Sequence, residues 1–304
     1  MENTINRGKF SREQLLIMGA FAIVYIVWGS TYLFNYLAIQ TIPPFLMSGS
    51  RFFTAGILLF TYAYWQNRQW PSFTHWRNAF FLGILFLTIG TGGVVWAEQY
   101  VATGIASLVV ALEPLVVIFM MWSILNKKPA LKSLVGVGLG MLGMTILVGQ
   151  TSFTAHTNTL IGIGVIFISI LSWGYASVAI PKYEMPQSRL QSTAIQMIAG
   201  GLSLSFFSLI TGEYRSFSFE AVTAQSAWSW VYLIIFGSII AFSCFNYLLL
   251  KVSPDKVATT NYVNPVVALW LGWMFNNEVL SNQSLLAAGI LLIGVFLIIT
   301  KLKK

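Results

Sequence analysis

The stretch Gly104 to Trp122, GIASLVVALEPLVVIFMMW, is apolar almost throughout, yet it carries the dipeptide Glu113-Pro114 near its middle. As a helix it is long enough to cross a hydrocarbon layer of about 30 Å. A carboxylate at mid-membrane depth is disfavoured by roughly 2.5 kcal/mol or more, and a proline removes one backbone donor and opens the helix ladder. The pattern recurs. Asp255 to Phe275, DKVATTNYVNPVVALWLGWMF, again puts a polar residue directly before a proline, Asn264-Pro265, at an offset of 265 − 114 = 151. A costly feature stated twice points to a chain made of two related halves.

Composition agrees with a membrane setting. Of 304 residues, 57% are hydrophobic and 9% charged, with a mean hydropathy of +0.75, whereas soluble globular chains carry about 25% charged residues. The formal charge of +8 does not mark a nucleic-acid partner, because the basic residues sit in short clusters between apolar runs and not in one continuous patch. Cys244 is the only cysteine, so no intrachain disulfide forms. The first apolar run is too long for a signal-peptide core and is not followed by a small-residue cleavage site, so the N-terminus is expected to be retained.

Apolar runs bounded by charges, prolines or polar turns predict ten transmembrane helices, at 15–38, 44–65, 77–97, 104–125, 131–149, 158–181, 190–211, 228–250, 256–276 and 283–300. No run alternates as a barrel strand does, so the expected fold is an all-α membrane protein. Basic loops stay on the cytoplasmic side. With both termini inside, 15 of the 17 Lys and Arg residues fall there, Arg215 being outside and Arg51 within a helix. Trp65, Trp70 and Trp76 at one side and Trp228 and Trp230 at the other read as interfacial anchors.

The internal repeat extends beyond the prolines. Trp28-Gly29 matches Trp173-Gly174 at an offset of 173 − 28 = 145, and at that offset Gly56 meets Gly201 and Arg51 meets Gln196. Each unit spans about five helices, and an odd number makes the two copies cross in opposite senses. The expected organisation is a cytoplasmic tail at 1–14, a first five-helix repeat at 15–150 and an inverted second repeat at 151–304.

The two five-helix units, Arg51-Phe52-Phe53 in the second helix and Leu112-Glu113-Pro114 in the fourth resemble EamA-type members of the drug/metabolite transporter superfamily. The resemblance covers nearly the whole chain. It implies ten helices and export or exchange of small metabolites or amino acids across the bacterial inner membrane. Asn264 stands where the family often has Glu, which leaves the second unit without a matching carboxylate.

No P-loop, H-E-x-x-H or Cys/His cluster is present, so neither a nucleotide nor a metal cofactor is expected, and no paired nucleophile and base at bilayer depth points to an enzyme. Arg51 and Glu113 are the two deep charges. Both sit roughly 12 to 14 Å from the outer helix ends, taken at about 1.5 Å per residue. Two readings follow: a structural ion pair locking two helices, or a pair for which substrate or proton competes. Gln196 and Asn264 hold the corresponding places in the second unit. Tyr25, Trp28, Tyr32 and Asn35 form one stripe on the first helix, serving packing or cavity lining. Gly90-Thr91-Gly92-Gly93 and its mirror at Ala241 to Cys244, followed by Asn246, permit close approach or a bend. Asn261 and Asn264 share a face. Gly136 and Gly140 read as helix seams within a monomer, with a homodimer left open.

The sequence therefore predicts a secondary transporter in the lipid bilayer for a small neutral or zwitterionic solute, aromatic compounds included. Substrate binding or coupling is expected at Glu113, Arg51, Asn261, Asn264, Trp28, Tyr32, Trp173, Gln196 and Asn246, with helix breaks at Pro114 and Pro265. A passive channel and a membrane scaffold are the rival classes.

Overall fold

A computed structural model describes residues 11–97, 99–101, 103–149, 157–276 and 281–300, and over these residues the chain is helical without strands. The long helices are α1 (Arg12–Ile39), α2 (Pro44–Asn67), α3 (Phe73–Ala97), α4 (Ile105–Leu125), α5 (Leu131–Val148), α6 (Thr157–Lys182), α7 (Arg189–Thr211), α8 (Ala224–Lys251), α9 (Thr260–Asn276) and α10 (Asn282–Ile299). Their starts follow from local chemistry. Ser11, Ser72, Ser188, Thr223 and Ser281 each accept a hydrogen bond from a first-turn backbone N–H of the helix that follows, and Pro44 opens α2 at a position that needs no donor. Arg68, Asn126 and Gly212, with φ of 53°, 53° and 77°, end their helices in the left-handed conformation.

Eight of the described helices, all but α2 and α9, are long and apolar enough to span a bilayer by length and composition. α2 is long enough at 24 residues but carries Arg51 and several polar side chains, and α9 has 17 residues, a rise of about 25 Å.

The predicted helix breaks are unequal. α4 is interrupted by a turn at Ala111-Leu112, so Pro114 falls in the first turn of its second segment, where the missing N–H costs little. Pro265 is not itself a break, contrary to expectation. It lies inside the continuous α9, and the irregularity is displaced upstream, where Asn261 and Tyr262 donate to Ala258 and Thr259 in tightened three-residue turns.

Packing is reciprocal between the halves. α2 packs along α7 and α5 along α10; α1 packs on α9 as α6 does on α4; α2 packs on α8 as α7 does on α3; α1 packs on α8 as α6 does on α3. The closest approaches repeat in the same way. A Cβ built on Gly29 would lie 2.6 Å from Val267 and one on Gly174 3.0 Å from Val116, and the equivalent residues differ by 174 − 29 = 145 and 267 − 116 = 151. Both contacts need a glycine because the neighbouring helix surface occupies the place of a side chain. The glycine-rich middle of α3, Ile84–Gly92, and its counterpart in α8, Leu233–Phe242, are both wound as π-helix, a widening that recurs at functional sites.

Candidate functional site

The core joins the two units through aromatic rings. Trp28 on α1 and Trp173 on α6 meet edge to face at 5.9 Å, Trp173 lies 4.9 Å from Phe86 of α3 and 5.3 Å from Phe245 of α8, and Phe245 lies 5.0 Å from Trp28. The repeated Trp-Gly element thus brings its two tryptophans together at the middle of the molecule, with the π-wound stretches beside them. Trp28 donates from Nε1 to the carbonyl of Gly237 in the π-wound part of α8 at 3.2 Å.

Glu113 is buried, and its Oε2 accepts from Asn261 Nδ2 at 2.6 Å. This bond runs from α4 to α9, across the boundary between the units. Arg51 is also buried, and it donates from Nε to Ser238 at 2.8 Å and from Nη1 to Asn35 at 3.1 Å, with the Phe52 ring 4.8 Å from its Cζ. The expected Arg51–Glu113 ion pair is absent among the described residues, where Lys251 pairs with Glu13 and His75 lies 3.4 Å from Glu184. Equal depth along two helices does not make them neighbours. α2 packs on α7 and α8, whereas α4 packs on α6.

The remaining residues divide. Asn264 is 4% exposed and its Oδ1 has no partner, and Gln196 is 1% exposed with an equally unpartnered Oε1. Asn246 donates to the carbonyl of Phe242 within its own helix at 3.2 Å. Tyr25 and Asn35 of the α1 stripe reach Thr259 and Arg51, whereas the side chain of Tyr32 lies outside the described residues. Sequence reasoning missed Ser238, Phe86 and Phe245. A serine in an apolar run and phenylalanines in apolar helices carry no signal distinct from their neighbours, although their place beside the glycine-rich segments was a usable clue.

One end of the bundle is tied by polar links: the Lys251–Glu13 ion pair between α8 and α1, Arg189 of α7 over the Tyr247 ring at 5.5 Å, and His75 of α3 to Glu184 at 3.4 Å. A groove of about 470 Å³ between α1 and α8 is lined by Phe34, Trp228, Tyr232, Ile235 and Phe236. Its walls are apolar and Glu113 does not line it, so the buried polar groups, and not this groove, mark the candidate site.

The sequence pattern described as "EamA-like transporter family" matches the chain twice, at residues 15–149 and 160–300. The chain is 35% identical over 291 residues to "Uncharacterized inner membrane transporter YedA" of Escherichia coli (strain K12), covering 94% of this chain and 92% of that protein. It is 25% identical to "Uncharacterized transporter YoaV" of Bacillus subtilis (strain 168), covering 90% and 93%. A solved structure described as "Crystal structure of protein" shares its fold, with a TM-score of 0.77 over 94% of this chain and 96% of that one at 15% identity. With two copies of the family pattern filling most of its length, the chain belongs to the EamA-like transporter family.

Proposed function

We propose that the chain is a secondary transporter that exports or exchanges a small neutral or zwitterionic metabolite across the bacterial inner membrane by alternating access. In this reading α2 and α9 also cross the bilayer, giving ten spans in two inverted five-helix units, at 15–150 and 151–304, after a cytoplasmic tail at 1–14. Both termini are cytoplasmic. The central place of α2 against α7, and the match of α9 with α4, support the additional two spans.

The observation that carries the proposal is the bond from Asn261 to Glu113. A carboxyl in the membrane interior is costly, and here it is held by an amide of the opposite unit, with no cation within salt-bridge distance among the described residues. Such a group can take up a proton or meet a substrate amine as the units rock against each other. The polar links at one end of the bundle are then a closed cytoplasmic gate. Arg51 and Glu113 form no ion pair among the described residues, which supports a zwitterion, since each is left to meet a substrate group of opposite charge.

Flux into proteoliposomes tests this. The purified protein is expected to give saturable uptake and counterflow of at least one solute from a panel of amino acids and nucleobases, without measurable conductance. Flux that rises linearly with concentration, or an ionic current, would identify a channel instead.

A further inference from the structure

We propose that Arg51 is the seat for a carboxylate on the transported molecule, a step that rests on the transporter reading above. Arg51 is 6% exposed, and all the hydrogen-bond and ring partners of its guanidinium, Ser238, Asn35 and Phe52, are neutral. No carboxylate oxygen lies within salt-bridge distance of it among the described residues. Burying a cation without a counter-ion costs several kcal/mol, and hydrogen bonds to a hydroxyl and an amide recover part of that.

A purely structural staple between α1, α2 and α8 would not need the charge. The second unit shows the alternative, for Gln196 stands at the place equivalent to Arg51 and is buried there without charge. What arginine adds is a planar fork of donors matched to a carboxylate. Two nitrogens of that fork are engaged. Nη2 has no hydrogen-bond partner among the described residues and passes beside Gly237, where a Cβ would lie 2.8 Å from it.

The same Gly237 accepts the Trp28 indole N–H, so the free edge of Arg51 and the aromatic cluster meet at one residue. A ligand whose carboxylate docks on Nη2 has its apolar body set against Trp28 and Phe245. One cation balances one negative charge, so the site fits a monocarboxylate and leaves a dianionic phosphate uncompensated.

The test uses thermal unfolding of the purified full chain as wild type, Arg51→Gln and Arg51→Lys. The probes are the protein amino acids and phenylacetate, each beside its own carboxamide at the same millimolar concentration. At least one acid is expected to raise the wild-type Tm while its amide does not. Arg51→Gln, which copies the residue that the second unit carries at Gln196, is expected to fold and to need roughly tenfold or more of that acid for the same shift, with Arg51→Lys intermediate because it keeps the charge and loses the fork. Equal stabilisation by acid and amide, no stabilisation by any acid, or identical responses of wild type and Arg51→Gln would each overturn the proposal. Should Arg51→Gln not fold, Gly237→Ala crowds the free edge while keeping the charge and is expected to weaken the acid in the same way. Counterflow of the same panel separates the two readings. Saturable exchange of amides or other uncharged solutes, unchanged in Arg51→Gln, removes the carboxylate seat and keeps the transporter; no saturable flux of any solute removes the transporter itself.

Discussion

Glu113→Gln is expected to fold normally and to lose at least about tenfold in transport, together with the pH dependence of the rate. The structure makes the two effects separable. Glutamine keeps the length and the acceptor oxygen, so the bond from Asn261 survives and the stability change should stay within about 1 kcal/mol. Had Glu113 been paired with Arg51, the same substitution would have left a buried cation unpaired at a cost of about 3–5 kcal/mol. Glu113→Leu provides the contrast, because it strands the Asn261 amide and should lower stability by about 1–3 kcal/mol. Melting points and initial rates across pH distinguish these cases. A glutamine variant with wild-type rate and pH response would take Glu113 out of the mechanism, and one that fails to fold would make its charge structural.

The second large effect is expected at Trp173, whose ring touches Trp28, Phe86, Phe242 and Phe245. Trp173→Ala removes all these contacts and leaves a hole between the units, an expected loss of about 3–5 kcal/mol in the range for large-to-small core changes. Lipid is as apolar as the rings, so the loss reflects packing and not transfer from water. Trp173→Phe keeps an aromatic face and should lose markedly less. Thermal unfolding in detergent checks this, and transport should fall in the same order. A Trp173→Ala protein with unchanged Tm would show that the aromatic cluster does not hold the units together.

Much of the fold is legible in the sequence. The ten expected runs coincide with the helices α1 to α10 within a few residues, and eight of these are long and apolar enough to span a bilayer. The repeat is also legible, through Trp28-Gly29 and Trp173-Gly174, since glycines at close approaches and tryptophans in the core are constrained more tightly than aliphatic residues. Lateral arrangement is not. Helix depth can be counted from sequence, but which helices are neighbours cannot, so depth alone draws Arg51 and Glu113 together although Ser238 and Asn261 are their partners. Pro265 fails as a break because a ring near the start of a helix displaces the irregularity upstream instead of cutting the helix. The π-wound stretch of α3 shows in the sequence only through its glycines and that of α8 only as an apolar run, since composition does not report the hydrogen-bond period.

Alternating access requires the centre of the molecule to be exposed to each side in turn. Asn264 is buried with an unpartnered Oδ1, so a cysteine there, in a Cys244→Ser background, gives up no hydrogen bond through that oxygen. The measurement is its labelling by an impermeant thiol reagent in right-side-out and in inside-out vesicles, with and without a transported solute. Labelling is expected from either face in turn, with the solute gradient shifting which face reacts. Labelling from one face under every condition, or from both at once at undiminished rates, would contradict alternating access.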